Sequence, residues 1–498
     1  MRKRWLTAVV LLLFLFQGAC SAATVSNIAN RCKFWVSEGK ASTVSDNSMN
    51  TAWTPKGSKP ELRISLPSGG AAYIQINWTL PPKNYTLTEY DAQQNVLATR
   101  TAEDDSFACI SQLLPIQQNT KYISLTFSQS KQGINKICVF PEGKLPKTVV
   151  QWEAPHEKCD LLVISTHQDD EWLWFGAMIP YYDLVQGKDV QVVYMANCGR
   201  YRYAEALNSL AVAGVRTYPH FVGLKDKRDS SLNAAVKTWK SKDAIISVMT
   251  SIIRRFKPEV ILTHDWNGEY GHPQHILTSR CMESAIEAAA DPSKYPDSAE
   301  EYGTWEVKKL YRHLEKKDRI EFDWHVAYDE FGGRTGIQVA TDSMNQHASQ
   351  LKFFQVEDHG KYDNALFGLS YSAVGRDVEH NDLFENITET TPTPESTPEP
   401  TSTPEPTPTP ESTPIPEPTE EPEADIALDI EPDDTAEPTA PPEVAQEHSG
   451  SALPIAIGAI AVAAGAGVAG LVLYRREQER RRRRRRKKKA QRKKAQKK

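Results

Sequence analysis

Residues 165–172 read STHQDDEW. His167, Asp169, Asp170 and Glu171 place one imidazole and three carboxylates within five residues. Mutual repulsion raises the pKa values of such a cluster unless a cation or hydrogen bonds compensate. A divalent metal compensates directly, and a mixed imidazole and carboxylate donor set suits zinc. About 100 residues further on, residues 264–275 read HDWNGEYGHPQH, with histidines at 264, 272 and 275. Two histidines and one carboxylate drawn from the two motifs leave a coordination position open for water. That is the pattern of a catalytic rather than a structural zinc.

Both motifs need elements that bring them together. Each follows a short apolar run: DLLVIST at 160–166 and EVILTH at 259–264, with a third run, VQVVYMAN, at 190–197. Helix-like stretches at 203–213, 244–256 and 275–289 lie between and beyond them. This alternation over residues 149–385 predicts an α/β domain, a Rossmann-like parallel sheet with helices on both faces. Sites in such sheets lie beyond the carboxyl ends of the strands, where both motifs fall. Pro273 suits a first helical turn and directs His275 back toward the strand ends.

The preceding segment, 24–148, reads differently. Runs at 72–78, 85–90 and 121–127 are rich in β-formers, and PSGG at 67–70 and PPKN at 81–84 separate them. An all-β sandwich is expected. The order of Ala41-Ser42, Asp46 and Asn50-Thr51-Ala52-Trp53, then YIQINW, TKYISLTF and INKICVF, resembles discoidin-like (galactose-binding-like) domains, which implies a jelly roll. That resemblance implies a possible glycan-binding module; Trp53 and Trp78 are alternatively core packing in a spacer domain.

The two motifs of the α/β segment resemble the signature of the LmbE-like de-N-acetylases, the family of the N-acetylglucosaminyl-phosphatidylinositol deacetylase and the mycothiol-pathway deacetylase. The family pattern is (A/S)HPDDE followed by GHPDH; this chain has THQDDE and GHPQH. RYAEALNSLAVAGV at 202–215, WEVKKLYRHL at 305–314 and HASQ at 347–350 also fit. Position by position, the resemblance implies His167, Asp170 and His275 as Zn2+ ligands and Asp169 as general base. It implies His272 as the cation that stabilises an oxyanion or protonates the leaving amine, Tyr270 near the substrate carbonyl, and Arg202 on the sugar. Glu171 is expected to orient its neighbours, and Trp266 is a candidate for stacking on a sugar. Trp172 and Trp174 read more readily as core or pocket wall, and His264, His313 and His347 as structural. Gln168 and Gln274 depart from the family pattern. If the residue at 274 supports the charge of His272, turnover is what Gln274 puts in doubt.

The ends of the chain have their own composition. Arg2, Lys3 and Arg4 precede an apolar run at 8–16 and small residues up to Ala23, which reads as a signal peptide over 1–23. Residues 386–450 are rich in Thr, Pro and Glu, too apolar-poor to fold, and predict a disordered stalk. Residues 451–474 contain an uncharged run long enough for a single transmembrane helix. The polybasic stretch 475–498 carries +15 of a chain whose net charge is −5, leaving −20 elsewhere. Next to an apolar span, such a tail suits a cytoplasmic side and anionic lipid rather than nucleic acid. The expected location is the cell membrane, single-pass type I, with the catalytic domain extracellular. Outside the leader six cysteines remain, open to disulfides in an exported protein; Cys32 with Cys138 would close the first domain.

Together these readings imply a zinc-dependent hydrolase that removes the N-acetyl group from an N-acetylglucosamine-type sugar on a surface or extracellular glycan. The alternative is a surface glycan-binding protein, an adhesin that keeps the zinc site with weak or absent turnover. The oligomeric state is not legible.

Overall fold

Strands in which every second side chain is buried build the first part of the chain, as in β4 (Tyr85–Tyr90) and β7 (Tyr122–Phe127). With β1 (Lys33–Val36), β2 (Glu61–Ser65) and β5 (Val96–Thr101) they form a five-stranded antiparallel sheet in the order β1-β2-β7-β4-β5. A second sheet, β6-β3-β8, joins Ser111–Pro115, Tyr73–Trp78 and Ile134–Phe140. The inner faces share one core, with Leu62, Ile64, Leu87 and Leu125 from the first sheet and Ile74, Ile76 and Val139 from the second. The result is a β-sandwich. Trp53 and Trp78 are buried in it, each edge-on to Phe127. They are core packing, not exposed sugar platforms.

The computed structural model describes residues 23–387, apart from 58, 106, 129 and 130, and all of these lie in the first of the chain's two compact units. The expected stalk, membrane span and polybasic tail, and the leader up to residue 22, lie outside the described residues.

The second part is a seven-stranded sheet in the order β11-β10-β9-β12-β13-β17-β14. Its strands are β9 (Leu161–Ser165), β10 (Val190–Asn197), β11 (His220–Lys225), β12 (Val260–Thr263), β13 (Lys309–His313), β14 (Arg319–Glu321) and β17 (Leu366–Ser372). The intervening β15 (Ala327–Tyr328) and β16 (Arg334–Thr335) pair only with each other. The five strands from β11 to β13 are parallel, but β17 runs antiparallel to both β13 and β14. The expected parallel sheet is therefore a mixed one. The repeating crossover helix stops after β13, so the chain returns to the sheet in the opposite direction.

Both faces of the sheet are covered. Leu161, Val163, Val192 and Leu262 point into one apolar cluster, and Leu162, Ile164, Val193 and Ile261 into the other. Strands buried on both faces read as continuous apolar runs, which is why these three were legible. The helices Arg200–Ala213, Lys242–Phe256 and Pro273–Ala290 pack on them. Tyr218, which precedes β11, meets Phe107 of the sandwich at 5.5 Å, and its hydroxyl accepts from the Ile110 N–H at 3.3 Å.

Two expectations are corrected. No helix among the described residues is long and apolar enough to cross a membrane. The longest described helix, Pro273–Ala290, carries Arg280, Glu283 and Glu287. The expectation of a single-pass type I cell-membrane protein with its catalytic domain outside the cell is therefore withdrawn; the run at 451–474 that prompted it lies outside the described residues. The second concerns the cysteines. Cys32, Cys109, Cys138, Cys159, Cys198 and Cys281 are all free thiols, and all but Cys32 are buried. Each sits in apolar packing, and burial raises its thiol pKa above the ordinary value.

Candidate metal centre

The neighbouring central strands β9 and β12 end at Ser165 and Thr263, so the two motifs emerge side by side at the carboxyl edge of the sheet. The first motif turns at once into a short helix, Asp170–Leu173. Asp169 caps it with φ 135°, a region L-residues rarely adopt. Three bonds hold it there. Its N–H donates to Glu171 Oε2 at 2.9 Å, its Oδ1 accepts from Arg202 Nη2 at 2.7 Å, and Arg202 also donates to the carbonyl of Gln168. Strain fixed in this way places a carboxylate where relaxed backbone would not. The second motif loops through Gly268, at φ +64°, where an added Cβ would stand 2.8 Å from the His272 carbonyl. His272 then caps the helix that opens with Pro273.

Three side-chain atoms converge. His167 Nδ1 lies 3.0 Å from His275 Nε2 and 3.2 Å from Asp170 Oδ2, and His275 Nε2 lies 3.2 Å from that same oxygen. Donors about 2.0–2.1 Å from a tetrahedral zinc stand about 3.3 Å apart, so this triangle has the dimensions of three zinc ligands. The remaining polar atoms of the three residues are turned away and satisfied. His167 Nε2 faces Gln274 Oε1 at 2.9 Å, His275 Nδ1 faces Glu269 Oε2 at 2.8 Å, and Asp170 Oδ1 accepts from Trp174 Nε1 at 2.8 Å. With those N–H groups donating outward, the inward nitrogens keep free lone pairs, as metal-binding histidines require.

A second grouping, Asp170, His264 and His275, is also close-set, as are His167, His272 and His275. His264 is spent elsewhere, because its Nε2 accepts from the Thr166 N–H at 2.9 Å and its Nδ1 faces Glu269. His272 packs edge-on to His167 at 4.8 Å and against His275 at 4.6 Å, and its buried Nδ1 has no partner among the described residues. It borders the triangle and remains available to a ligand.

The electrostatics follow from burial and charge pairing. Burial opposes charge on Asp170, but His275 and His167 hold its carboxyl well below the usual range. Burial likewise lowers the pKa of His275, yet Asp170 and Glu269 push it up to about 10. Burial raises Asp169 to about 6 against the pull of Arg202, and burial with the adjoining His275 and His167 depresses His272. An anion-rich, buried pocket of this kind favours a cation.

The other expected residues are distributed as follows. Tyr270 is exposed beside the cluster, its ring 5.7 Å from those of His272 and His275. Arg202 is buried, with its guanidinium on the Asp169 carboxylate and the first-motif backbone. Trp266 is exposed, but its ring already carries the guanidinium groups of Arg280 and Arg312 at 5.2 and 4.8 Å. Glu171 binds the Asp169 N–H and accepts from the Tyr194 hydroxyl at 2.7 Å. Trp172 is buried, donating to Ser209, and His347 is buried near Glu171.

Glu269 went unremarked in the sequence. It is buried and faces three histidines, His264, His275 and His313, and these hold its carboxyl well below the usual range despite burial. Its position inside HDWNGEYGHPQH was the available signal. Gln274 is turned to His167, not His272, and its Nε2 donates toward the Lys225 carbonyl and Asp229. It therefore orients the His167 ring, and its amide makes no contact with His272. Gln274→Leu removes that acceptor and is expected to weaken zinc binding about 10- to 100-fold. A competition titration against a chromophoric chelator measures this, and unchanged affinity would refute the orienting role.

Residues 162–286 match the family model described as PIG-L: GlcNAc-PI de-N-acetylase. This segment is a PIG-L deacetylase domain. Among curated relatives, a 1D-myo-inositol 2-acetamido-2-deoxy-alpha-D-glucopyranoside deacetylase of Geodermatophilus obscurus is 28% identical over 179 residues, 30% of this chain and 60% of the relative. The Thermobispora bispora deacetylase of the same name is 29% identical over 278 residues, 47% of this chain and 89% of the relative. The chain thus spans less than two thirds of the first of these relatives. A solved structure of the N,N'-diacetylchitobiose deacetylase from Pyrococcus horikoshii aligns with TM-score 0.30 and 16% identity, over 38% of this chain and 70% of that one. Both motifs, and with them the triangle, lie inside the PIG-L domain.

Proposed function

We propose that the chain is a zinc-dependent hydrolase that removes the N-acetyl group from an N-acetylglucosamine-type amino sugar, with His167, Asp170 and His275 as the zinc ligands. Residues 149–385 act as the catalytic domain and 24–148 as an accessory sandwich. The observation that carries the reading is the triangle of donor atoms 3.0–3.2 Å on a side, each ligand held in place by a hydrogen bond on its far atom. Zinc held there would polarise the amide carbonyl and lower the pKa of water.

The chain's own residues supply the rest. Asp169 lies next to the triangle but outside it, tied by Arg202 and Glu171, and takes the proton of the attacking water. Arg202 and Glu171 hold that carboxylate in a backbone conformation it would otherwise leave. His272, bordering two ligands and kept neutral by burial and the adjoining imidazoles, stands beside the oxyanion, and the proton that Asp169 took from the water passes to the departing amine. Tyr270 covers the substrate carbonyl from the open side. The C–N bond breaks, and acetate and the free amino sugar leave.

The test is paired quantification of acetate and primary amine from N-acetylglucosamine and its short oligomers. Equal amounts of the two products, above an uncatalysed control, support the hydrolase. Sugar binding with neither product supports the binding-protein alternative instead.

A further inference from the structure

Asp169 is held at two points, and both holders are gripped from outside residues 162–286. Its N–H is on Glu171 Oε2 and its Oδ1 on Arg202. The other oxygen of Glu171, Oε1, accepts from the Tyr194 hydroxyl at 2.7 Å and faces His347, whose Nε2 lies 3.4 Å away. Arg202 belongs to the helix Arg200–Ala213, and Glu205 follows it one turn along on the same face. Ser349 donates its N–H and its hydroxyl to the two oxygens of Glu205, at 2.9 and 2.7 Å. The turn 347–350 therefore grips, by two separate routes, both groups that hold one carboxylate.

An imidazole at 347 costs the fold free energy. The ring is buried, and neither nitrogen has a hydrogen-bond partner among the described residues. An apolar side chain would fill the same place without leaving polar atoms unsatisfied. The backbone there is firmly held. The His347 N–H donates to the Met344 carbonyl at 2.9 Å, and the His347 carbonyl accepts from the Gln350 N–H at 2.8 Å. The helix Gly336–Met344 that leads into it starts on a capping box of Thr335 and Gln338. What the imidazole adds is a basic group facing Glu171, in a stretch where three carboxylates stand side by side. Asp170 faces His167 and His275, Asp169 faces Arg202, and Glu171 faces His347.

We propose that His347 is a positioning residue for the general base. It holds the Glu171 carboxylate, which in turn holds the Asp169 N–H at φ 135°, while Ser349 fixes the helix that carries Arg202. This rests on the deacetylase reading above and adds what sets its base. His347 touches no reacting group and no zinc ligand atom, so its loss falls on kcat rather than on KM or zinc content.

The experiment compares the zinc-loaded full chain as parent, His347→Leu, His347→Gln and Ser349→Ala. It reads acetate release from N-acetylglucosamine oligomers, thermal unfolding, and hydrogen exchange of the Asp169 amide. His347→Leu should lose about 10- to 100-fold in kcat, with KM within about twofold and one zinc per chain. Its unfolding midpoint should match or exceed the parent's, because no buried nitrogen is left unpartnered. Its Asp169 amide should exchange about fivefold faster or more, as the turn opens locally. His347→Gln carries an N–H donor at about the reach of Nε2 and should recover most of the kcat and of the protection. Ser349→Ala should lose about 3- to 10-fold in kcat. Added to Glu171→Gln, His347→Leu should change kcat by less than about twofold, since one residue acts through the other. Parent-like kcat and exchange in His347→Leu overturn the proposal, as does a loss that His347→Gln shares together with a lowered unfolding midpoint. Should His347→Leu fold poorly, the half-buried Ser349 gives the second test, and parent-like kcat and Asp169 exchange in Ser349→Ala overturn it. Faster Asp169 exchange in His347→Leu, with no acetate released even by the parent, sustains the positioning role while removing the deacetylase reading. Parent-like exchange in that variant, with acetate released by the parent, removes the role and leaves the reading intact.

Discussion

Asp169→Asn is expected to retain one zinc per chain and to lose about 10²- to 10⁴-fold in kcat, with KM nearly unchanged. The geometry dictates each half of this result. The donor triangle uses Asp170 Oδ2, His167 Nδ1 and His275 Nε2, so Asp169 can be neutralised without removing a ligand atom. Asparagine has the shape of aspartate and keeps an oxygen for the Arg202 N–H bond at 2.7 Å, so the turn should survive. What it cannot do is accept the water's proton. Zinc content by elemental analysis and acetate release by coupled assay read the two halves separately. Full turnover in this variant would remove Asp169 as the base, and loss of zinc would show that the triangle is drawn wrongly.

Glu269→Gln should be almost as damaging, by a different route. The Glu269 carboxylate faces His264, His275 and His313, all with buried side chains. A glutamine of the same shape offers one acceptor oxygen and turns an NH2 group toward at least one donating imidazole. If that imidazole is His275, its Nδ1 loses the hydrogen atom that keeps Nε2 free for a metal. Zinc affinity should fall about 10- to 100-fold or more. The metal-free protein should lose about 1–3 kcal/mol of stability for each buried donor left without an acceptor. Chelator competition measures the first effect and denaturant unfolding of the metal-free protein the second. Parent-like values in both would show that Glu269 is a bystander.

Much of this centre could be read from the chain, and the reasons are local. Strands β9, β10 and β12 are covered on both faces, so they appear as apolar runs with β-branched residues, and the motif that follows each of β9 and β12 falls at the same sheet edge. His167, Asp170 and His275 stand out because their types and positions match a donor set. The strands β11, β13, β14 and β17 were not legible. β11 is half exposed and begins with a histidine, while β13 hides a buried lysine, Lys309, which is paired with Asp377 some 68 residues away. The direction of β17 depends on pairing across the sheet, which periodicity along the chain does not encode.

The same distinction separates the site residues. Ligand identity is a matter of residue type, but the role of an orienting residue depends on which of two neighbours it faces. Gln274 lies between His272 and His275 in sequence, yet its amide reaches across to His167 in the other motif. Arg202 has the charge of a sugar-binding residue, but its helix brings it against Asp169. Glu269 has a carboxylate that reads as one more loop acid until three imidazoles are seen around it. Trp53 and Trp78 could have served as sugar platforms or as core, and only the closing of the two sheets over them decides for core.

A single zinc, held by His167, Asp170 and His275, should be required for amide hydrolysis on an amino sugar. Titrating zinc into chelator-stripped protein while following acetate release from an N-acetylglucosamine oligosaccharide tests this. Acetate release should be absent without zinc, rise in proportion to added metal and level off at one equivalent per chain. Release that persists without zinc, or none at one equivalent of bound zinc, would contradict it.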